Sequence, residues 1–460
     1  MIISIILAAG EGTRMKSKYS KVTQRLLNRP MVDYVLDASK KAGVEKNIMI
    51  VGRNKEMVME LFEGEDISYK EQKIGAEYPY GTGYAVSLAV DEIKDDDDVL
   101  ILNGDIPLLS SYSIEKFINY HKENKNIGSI LTAIIDDPTN YGRIIKNDEG
   151  QLIKIVEHKD ANEEELKICE FNSGVYLFRG GDLKESLGMI KSDNEQGEMY
   201  ITDIIGILSE AGKKIGTFLL DDVTEVYGIN SKDQLSEAEE VLRARVNREY
   251  MKNGVFMENP SNIFIEPGVE IGIDTKIYSG AKILGKTIIG EDCIIDGAST
   301  IIDSVIEDEV VINRSVVEHS HISKNATIGP FAHLRPNADI GKNVHIGNFV
   351  EVKNAKMGEN TKAGHLSYIG DADLGKDINI GCGSIFVNFD GKDKFRSTVK
   401  DGAFIGSNSN IIAPVVIEED AFIAAGTSVT KNVDKGSLYI TRAKEVKVAD
   451  WVYIKNKKSK

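Results

Sequence analysis

Cysteine is scarce in this chain, and the spacing of its cysteines excludes two common structural roles. Only Cys169, Cys293 and Cys382 occur among the 460 residues, and they lie far apart. An odd number at these spacings forms neither a disulfide framework nor the paired knuckle of a metal site. The amino terminus also lacks the charged lead and long apolar core of a signal peptide. We therefore expect a reducing compartment and a cytoplasmic protein.

Positive charge is also in short supply. Lysine and arginine together number 56 against 72 aspartates and glutamates, which gives a formal net charge of −16. Because nucleic acids are held by clustered cations, this balance excludes a general nucleic-acid binder. The basic run at residues 455–460 is typical of a solvated chain end. Any phosphate site must therefore be local, built from a few cationic side chains and backbone N–H groups.

The apolar stretch at residues 1–9 is too short to cross a bilayer, and we predict no membrane anchor. It runs directly into a glycine-rich loop, which is typical of a buried first strand. At 460 residues the chain is too long for a single hydrophobic core, so two or more domains are expected.

Residues 1–230 alternate apolar strand candidates with amphipathic helices, which predicts a Rossmann-like α/β domain. Such a domain has a mostly parallel sheet, with ligands at the carboxyl ends of its strands. The pattern predicts strands at 2–8, 47–51, 99–102 and 215–220, helices at 31–42, 82–93 and 202–210, and a hairpin at 143–146 and 152–156. Residues 231–253 have apolar side chains at helical spacing and are predicted to form a linking helix, closed by Asn253-Gly254.

From residue 254 onward, aliphatic residues recur every six positions in three runs. This period is the hexapeptide repeat of a parallel β-helix, in which three six-residue faces complete one coil. We predict that each aliphatic residue points inward and that neighbouring glycines occupy corners where φ is positive. The inward positions are predicted to be Ile265, Ile271, Ile277, Ile283, Ile289, Ile295 and Ile301, then Val310, Val316, Ile322, Ile328, Leu334, Ile340, Ile346 and Val352, and finally Val399, Ile405, Ile411, Ile417, Ile423 and Val429. The corner glycines are predicted to be Gly272, Gly290, Gly329, Gly341, Gly347 and Gly406.

A polar break at about residues 388–397 separates the last two runs. A solenoid buries no additional core by ejecting a polar loop, so we predict that the break has a functional reason. A neutral excursion is the alternative.

The glycine-rich loop after the first strand is a candidate phosphate site. The small residues of Leu7-Ala8-Ala9-Gly10-Glu11-Gly12-Thr13-Arg14 let the backbone approach a ligand, and successive N–H groups can cradle phosphate oxygens. Arg14 and Lys21 add two cations, and Asp105 ends a strand with a carboxylate of the kind that Mg²⁺ prefers. Taken alone, the loop could equally be a structural turn, because it has neither a full dinucleotide fingerprint nor a P-loop. Asp105 taken alone could equally be a helix or turn cap.

Ordered motifs in both halves supply the missing context. The first half contains LAAGEGTRM, LNGDIPL, YGRI, VEHKD, FNSG, YITDII and VYGIN, and the second contains FAHLRP, VKN, AGHLSYIGD and NFDG. Over nearly the whole chain they resemble the family of the bifunctional N-acetylglucosamine-1-phosphate uridylyltransferase/glucosamine-1-phosphate N-acetyltransferase. The resemblance implies a uridylyltransferase domain at 1–230, a linker helix at 231–253 and a left-handed β-helix acetyltransferase domain at 254–460. It also implies a homotrimer with acyl sites between subunits.

The activity implied by the resemblance is acetyl transfer from acetyl-CoA to glucosamine 1-phosphate, followed by uridylyl transfer from UTP in the presence of Mg²⁺. The product, UDP-N-acetylglucosamine, feeds peptidoglycan and lipopolysaccharide precursors. In the first half, the resemblance implies nucleotide and sugar binding by Leu7, Ala8, Ala9, Gly10, Lys21, Gln72, Gly81, Thr82, Gly142, Glu157, Asn172 and Asn230. Asp105 and Asn230 would bind Mg²⁺, and Arg14 and Lys21 would neutralise the departing pyrophosphate.

In the second half, the resemblance implies that His365 is the general base, since an imidazole with a pKa of about 6.5 suits an amine attacking a thioester. The implied sugar-phosphate residues are Arg335, Lys353, Tyr368, Asn379 and Lys394, and the implied acetyl-CoA residues are Cys382, Asn388, Phe389, Ser407, Ala425 and Arg442. The remaining histidines of this half, His319, His321, His333 and His345, are interpreted as ordinary surface or turn residues. No carboxylate or cysteine pattern supports a zinc site there.

Some positions depart from the family pattern. Glu11 stands where the family often has lysine, Ser20 where it usually has proline, and Phe389 where it commonly has tyrosine. The segment at 73–80 is longer than usual.

Two alternatives remain open: a single-activity sugar-phosphate nucleotidylyltransferase with a regulatory β-helix, and a non-catalytic scaffold.

Overall fold

The computed structural model describes residues 1–73, 75, 77–191, 194 and 197–457, so parts of the segment 73–80 and of the basic run 455–460 lie outside the described residues. The chain divides into two compact units, Met1–Leu242 and Arg243–Lys460. Across the described ranges, no helix combines the length and apolar character that a membrane span needs.

The first unit is built on a nine-stranded sheet. Its strands are β1 (Ile2–Ala8), β2 (Lys46–Val51), β3 (Ser68–Glu71), β4 (Asp98–Asn103), β5 (Gly128–Ile134), β6 (Arg143–Lys146), β7 (Leu152–Val156), β8 (Glu170–Arg179) and β9 (Ile215–Leu219). The main order is β9-β5-β8-β4-β1-β2-β3, and the hairpin β6–β7 pairs with β8. Strand β8 runs antiparallel to β4 and β5, whereas the other neighbours along the main order are parallel. The predicted Rossmann-like α/β fold is confirmed.

Helices cover both faces of this sheet. They are α1 (Met31–Lys41), α2 (Lys55–Met59), α3 (Thr82–Ser87), α4 (Ser111–Asn124), α5 (Gly180–Leu187) and α6 (Asp203–Glu210). Short 3-10 turns lie at Thr13–Met15, Lys21–Thr23, Glu60–Phe62, Val90–Glu92, Glu165–Lys167 and Val223–Val226, and a small hairpin joins Arg25–Leu26 to Arg29–Pro30. The helix predicted at 82–93 ends at Ser87, because Ala89 and Glu92 donate their N–H groups three residues back and tighten the chain.

Strand β1 explains why the first unit has two cores. Its sequence IISIILA is buried at nearly every position, as in a strand covered on both faces. Ile2 and Ile6 pack into one apolar cluster, whereas Ile3 and Ile5 pack into another on the opposite face. The period of two along a strand sends neighbouring side chains to different cores.

A long helix, α7 (Lys232–Lys252), leads into the second unit, where the strands form three stacked parallel sheets. The 11-stranded sheet contains Phe256–Met257, Lys276–Ile277, Ile294–Asp296, Val311–Asn313, Thr327–Ile328, His345–Asn348, Lys362–His365, Asn379–Ile380, Phe404–Ile405, Phe422–Ile423 and Leu438–Tyr439. The 10-stranded sheet contains Phe264–Ile265, Lys282–Leu284, Thr300–Ile302, Val316–Glu318, His333–Leu334, Glu351–Lys353, Tyr368–Gly370, Ile385–Val387, Asn410–Ile412 and Ser428–Val429. The nine-stranded sheet contains Glu270–Ile271, Ile288–Ile289, Val305–Ile306, His321–Ile322, Asp339–Ile340, Lys356–Met357, Ala372–Leu374, Ser397–Val399 and Val416–Ile417. A 3-10 turn lies at Pro260–Asn262 and a last helix, α8, at Trp451–Lys457.

The inward aliphatic residues of this unit form one continuous core, so the predicted β-helix is confirmed. Positions in the first and third predicted runs are buried, with Ile271 partly so. The second run needs correction. Val316 is 37% exposed, and the inward residue there is its buried neighbour Val317. Val310 is buried, but the inward strand position belongs to Ile312, which pairs with the inward Ile295.

Shortened faces explain this error. The inward residue after Ile301 is Ile306, five positions later, and the sequence Ile312, Val317, Ile322 repeats the shorter step. Tight corners with positive φ, such as Asp303 at +45°, absorb the missing residue. The strands nevertheless stay paired from coil to coil.

The corner glycines were also predicted for the wrong reason. Of the six, only Gly329 has a positive φ, at +100°. The others are required by stacking, because a Cβ would collide with the next coil; at Gly272 it would lie 2.6 Å from the Gly290 carbonyl carbon. Positive φ is instead adopted mostly by asparagine and aspartate, which tolerate the left-handed region better than other side chains.

Candidate active sites

The carboxyl ends of β1 and β4 meet at one edge of the first unit's sheet. Gly104, which follows β4, donates its N–H to the carbonyl oxygen of Leu7 at 2.9 Å. Gly12 in the glycine-rich loop has a φ of +60°, and a Cβ there would lie 2.6 Å from Cβ of Lys21. Glycine is therefore needed for the loop to pass this close to the lysine.

Four predicted site residues converge beside this loop. Nζ of Lys21 donates to Oδ1 of Asn230 at 2.6 Å and forms an ion pair with the Asp105 carboxylate. Nη2 of Arg14 donates to the same Asn230 oxygen at 2.8 Å. The turn before Asn230 is held in place because Ile229 donates its N–H to the Asp105 carbonyl oxygen at 3.0 Å. Both predicted metal ligands and both predicted cations thus lie together.

A cavity of about 280 Å³ opens at the same edge. It is lined by eight predicted site residues, Leu7, Ala9, Gly10, Lys21, Gln72, Gly81, Thr82 and Asp105. Ala8 packs into the core instead. The other lining residues, which the sequence analysis missed, are Val22, Tyr80, Ala85, Asn103 and Glu198. Three of them could have been found from the sequence, because they lie in or beside predicted site segments. Asn103 lies in the LNGDIPL motif, Tyr80 precedes Gly81, and Glu198 closely precedes YITDII.

Gly81 has a structural reason to be glycine. Its φ is +116°, and a Cβ would lie 2.5 Å from the carbonyl oxygen of Met199. Met199 donates its N–H to the Tyr80 carbonyl oxygen at 2.8 Å, and Ile201 donates to Oγ1 of Thr82 at 3.1 Å. These contacts dock the segment around Met199 against the start of α3 and bring Glu198 to the cavity.

The three predicted sugar residues of the first half lie in contact with one another. A Cβ on Gly142 would lie 3.5 Å from Cβ of Asn172 and 3.6 Å from Oε1 of Glu157. Asn172 donates its N–H to the Gly142 carbonyl oxygen at 2.9 Å, and its Nδ2 donates to the Tyr176 hydroxyl at 2.7 Å. Thr202 donates its hydroxyl to Oε1 of Glu157 at 3.2 Å. The structure therefore groups these residues through side chains of β8 and the turn before α6.

This group is acidic. Burial raises the pKa of Glu157, and burial together with the neighbouring Asp160 raises the pKa of Asp203 to about 6. Burial also raises the pKa of Glu198. Carboxylates suit the hydroxyl groups of a sugar but repel a phosphate, so this side of the site favours the uncharged end of a sugar phosphate.

The donor atoms of Asp105 and Asn230 fit a magnesium ion. They supply one carboxylate and one amide oxygen, and Mg²⁺ completes such a set with phosphate oxygens and water. In the part of the chain that the structure describes, no group of three or more His, Cys, Asp or Glu side chains is arranged to hold a metal.

In the second unit, one corner of the β-helix stacks His365 with predicted acetyl-CoA residues. Asn348 and His365 are register partners on adjacent coils, and Nδ1 of His365 lies 2.7 Å from Oδ1 of Asn348. Each later coil adds one residue two positions after its inward side chain, namely Cys382, Ser407 and Ala425. Backbone hydrogen bonds of 2.8 Å link these rungs, from Asn408 to the Cys382 carbonyl oxygen and from Gly426 to that of Ser407. The histidine and three predicted cofactor-site residues thus form one column.

The predicted sugar-phosphate residues are divided between two sheets. Arg335, Lys353 and Tyr368 belong to successive coils of the 10-stranded sheet, and Nη1 of Arg335 donates to Oε1 of Glu351 at 2.8 Å. That bond raises the pKa of Arg335. Asn379 lies on the 11-stranded sheet.

The remaining predicted residues lie elsewhere in the second unit. Lys394 and Phe389 are exposed on the loop at 388–396, which a bridge between them closes. Arg442 is exposed in the segment after the last strand. Asn388 is buried at the base of the loop. The structure of a single chain therefore brings together subsets of the predicted acetyltransferase residues.

Comparison with known proteins matches both units. The family model described as nucleotidyl transferase matches residues 3–226, and the model described as bacterial transferase hexapeptide (six repeats) matches residues 319–354. A relative named "Bifunctional protein GlmU" from Clostridioides difficile (strain 630) is 47% identical over 455 residues, covering 99% of this chain and 98% of its own. Proteins of the same name from Caldanaerobacter subterraneus subsp. tengcongensis and Clostridium beijerinckii are 45% and 44% identical, covering 100% and 98% of this chain and 99% and 98% of their own.

Proposed function

The chain belongs to the GlmU family of bifunctional proteins, and from this premise we propose that it acetylates glucosamine 1-phosphate and then uridylylates the product. The acetyl donor is acetyl-CoA, the uridylyl donor is UTP, and the end product is UDP-N-acetylglucosamine, which supplies cell-wall precursors. The observation that carries the proposal is the 47% identity over 99% of the chain, because it extends through both units.

In the first unit, a phosphate oxygen of N-acetylglucosamine 1-phosphate attacks the α-phosphorus of UTP, and pyrophosphate leaves. The attacking oxygen is already an anion, so positioning and charge neutralisation carry the step without a general base. Arg14 and Lys21 neutralise the departing pyrophosphate. Gln72, Gly81 and Thr82 recognise uracil. These assignments are supported by the cavity at the sheet edge, which is lined by Lys21, Gln72, Gly81 and Thr82.

Asp105 and Asn230 would hold Mg²⁺, which would supply positive charge to neutralise the phosphates. The contacts of Lys21 support this assignment, because the oxygens of the same two side chains point toward a shared position and contact a cation, the Lys21 ammonium. The sugar is held by Gly142, Glu157 and Asn172.

In the second unit, the amine of glucosamine 1-phosphate attacks the thioester carbonyl of acetyl-CoA. His365 removes the proton from the attacking nitrogen, and CoA leaves as a thiol after it takes up a proton. The contact between Nδ1 and Asn348 supports this role, since it orients the ring and leaves Nε2 for the substrate. Arg335 and Lys353 hold the sugar phosphate, with Tyr368, Asn379 and Lys394 completing the sugar site.

The cofactor is held by Asn388, Phe389, Ser407, Ala425 and Arg442, with Cys382 on the same column as His365. The proposal also includes a homotrimer whose acyl sites lie between subunits, as the family resemblance implies. Light scattering tests this directly. A monomer that still acetylates glucosamine 1-phosphate would contradict the shared site.

A mass-spectrometric time course tests the function as a whole. Purified chain is mixed with glucosamine 1-phosphate, acetyl-CoA, UTP and Mg²⁺, and the expected result is successive appearance of N-acetylglucosamine 1-phosphate and UDP-N-acetylglucosamine. Asp105→Ala should abolish the second step and leave the first nearly intact, and His365→Ala should do the reverse. Equal loss of both activities in either variant would contradict separate sites.

The same reagents separate the alternatives. A nucleotidylyltransferase with a regulatory β-helix would release pyrophosphate from UTP and N-acetylglucosamine 1-phosphate but no free thiol from acetyl-CoA and glucosamine 1-phosphate. A scaffold would release neither.

A further inference from the structure

The loop at residues 388–396 is tied to the β-helix at both of its ends. At its start, Nδ2 of Asn388 donates to Oδ2 of Asp371. At its end, Nε and Nη2 of Arg396 donate to the two carboxylate oxygens of Asp373, each at 2.6 Å. Paired bonds of this kind fix both the distance and the plane of the two groups.

Asp371 also ties the loop to the preceding coil. Its Oδ1 accepts a hydrogen bond from Nδ2 of Asn354, and its N–H donates to the Lys353 carbonyl oxygen at 3.1 Å. Nη1 of Arg396 donates to the Asn354 carbonyl oxygen at 2.9 Å. Asn354 is thus the point at which both anchors of the loop meet.

Burial protects the Asp371 half of this connection, whereas the Arg396–Asp373 ion pair is exposed, at 41% and 48% of the two side chains. Asp371 is 8% exposed and Asn388 is 9% exposed, so water competes little for their hydrogen bonds. Each oxygen of the Asp371 carboxylate has its own amide donor, one from each side. The loop itself closes by a bond of 2.8 Å from the Phe395 N–H to the Asn388 carbonyl oxygen.

We propose that Asp371 and Arg396 are positioning residues for acetyl transfer, an inference that rests on the proposed acetyltransferase function. They hold Lys353, proposed to bind the sugar phosphate, at a fixed distance from Asn388 and Phe389, proposed to bind acetyl-CoA. Neither residue is assigned a contact with a substrate. A displacement of about 1 Å between reacting partners costs roughly 100-fold in rate, so the separation of the two substrates depends on this corner.

Two conservative variants and one matched control test the proposal. Asp371→Asn keeps the size of the side chain but replaces an acceptor oxygen with an NH₂ group, which cannot accept from Asn354 or Asn388. Arg396→Lys keeps the charge but cannot form the paired bonds to Asp373. The control is Asp303→Asn, since Asp303 has a similar φ of +45° at an equivalent corner, accepts one backbone N–H from Lys286 at 2.9 Å, and carries no loop.

Kinetics on the full-length chain give the first readout. In both variants we expect kcat/KM for acetyl-CoA to fall about 10- to 100-fold, with uridylyl transfer by the same molecules unchanged. Asp303→Asn should match the wild type in both reactions. Wild-type acetylation by both variants would overturn the proposal, and so would a parallel loss of uridylyl transfer, which indicates general damage to the fold.

Amide hydrogen exchange gives a second readout that needs no activity. Exchange of the Phe395 amide should be faster in Asp371→Asn and Arg396→Lys than in the wild type, and unchanged in Asp303→Asn. Failure of the wild-type chain to acetylate glucosamine 1-phosphate would overturn the proposed function and, with it, the kinetic part of this inference. Unchanged exchange of the Phe395 amide in both variants would show that Asp371 and Arg396 do not anchor the loop, and would overturn the proposal whatever their acetylation rates.

Discussion

At the scale of single residues, the observed contacts of Lys21 compete with its proposed role. Its ammonium contacts both Asp105 and Asn230, the two side chains proposed to bind Mg²⁺. The same ammonium is proposed to neutralise pyrophosphate. Lysine suits such a change of partner, because its charge lies at the end of a flexible chain. The proposed roles together require Lys21 to exchange the carboxylate for the phosphates when the nucleotide binds.

Gly142→Ala tests the proposed sugar site. The added Cβ would lie 3.0 Å from Cγ2 of Ile155 and fill the space between Asn172 and Glu157. We expect KM for N-acetylglucosamine 1-phosphate to rise about tenfold, as for the loss of one good polar contact, while KM for UTP stays the same. Steady-state kinetics with each substrate varied in turn measure this.

A matched control for that variant is Gly206→Ala. A Cβ at Gly206, within α6, would meet no heavy atom within 4 Å. If both variants gave the same kinetics, Gly142 would not belong to the sugar site.

His121 should make the stability of the first unit dependent on pH. Burial lowers the pKa of its imidazole to about 4, and the ring is 2% exposed. Between pH 6.5 and 4 the unfolded chain binds more protons than the folded one, so stability present above pH 6.5 is lost as the pH falls. We expect a loss of about 2 kcal/mol between pH 7 and pH 5 from this residue.

Calorimetry of wild type and His121→Gln at the two pH values checks this expectation. The difference in unfolding temperature between pH 7 and pH 5 should shrink in the variant. His319→Gln serves as the control, because the His319 side chain is 56% exposed. An undiminished pH effect in His121→Gln would contradict the prediction.

Motifs located the side chains proposed to meet the substrates, but not the residues that hold them. His365 could be selected from the sequence because its neighbours match the AGHLSYIGD motif. Its partner Asn348 lies 17 positions earlier and becomes a neighbour only when two coils stack. Asp371 ends the same motif, but its partners Asn354 and Asn388 lie 17 positions before and after it on neighbouring coils. Arg396 lies outside every motif, and its partner Asp373 also becomes a neighbour only through stacking. A pattern read along the chain does not give the contacts made between coils.

At the scale of elements, the corners of the β-helix decide which residues can be replaced. Asparagine side chains stack along one corner, where Nδ2 of Asn325 donates to Asn343 at 2.8 Å and that of Asn343 donates to Asn360 at 3.0 Å. Each of these residues has a positive φ near +60°. Side-chain hydrogen bonds between coils thus accompany the left-handed backbone conformation.

Gly347→Ala should destabilise the second unit by about 3 kcal/mol, since a Cβ there would enter the van der Waals radius of the Gly364 carbonyl oxygen on the next coil. Gly364→Ala is the matched control, because its own Cβ would meet nothing within 4 Å. Thermal unfolding followed by circular dichroism compares the two. Equal melting temperatures would show that the coils can separate to admit a methyl group.

The period of six predicted these elements well because each inward residue occupies the same place on its strand. The prediction erred at Val316, since a strict period takes no account of a corner that is one residue shorter. Hydrogen bonding between strands, such as the pairing of Ile301 with Val317, restores the register after each short corner. Sheet pairing therefore overrides residue count.

At the scale of the whole molecule, the two units have separate hydrophobic cores. The clusters of the first unit use residues between Ile2 and Val226, and the cluster of the second uses residues between Val255 and Val433. The change from alternating helices and strands to period six predicted this division. Neither the motifs nor the period shows which residues of the proposed acyl site would come from another copy.

Ligands should therefore stabilise the units independently. UTP with Mg²⁺ should raise the unfolding temperature of one calorimetric transition, and acetyl-CoA that of another, each by a few degrees at about 100 times Kd. Differential scanning calorimetry with each ligand alone measures the shifts. A single ligand that moved both transitions equally would contradict independent cores and sites.

Coils of unequal length in the β-helix have an evolutionary consequence. Ile265 pairs with Ile283, Ile301 with Val317, and Leu374 with Val399, although the chain between partners differs in length each time. An insertion or deletion at a bend is therefore confined to one turn of the solenoid and leaves every other turn in frame. Such a scaffold can acquire, lengthen or discard a protruding peptide in one genetic step, and a peptide grafted at an unused bend would be displayed without rebuilding the column beneath it.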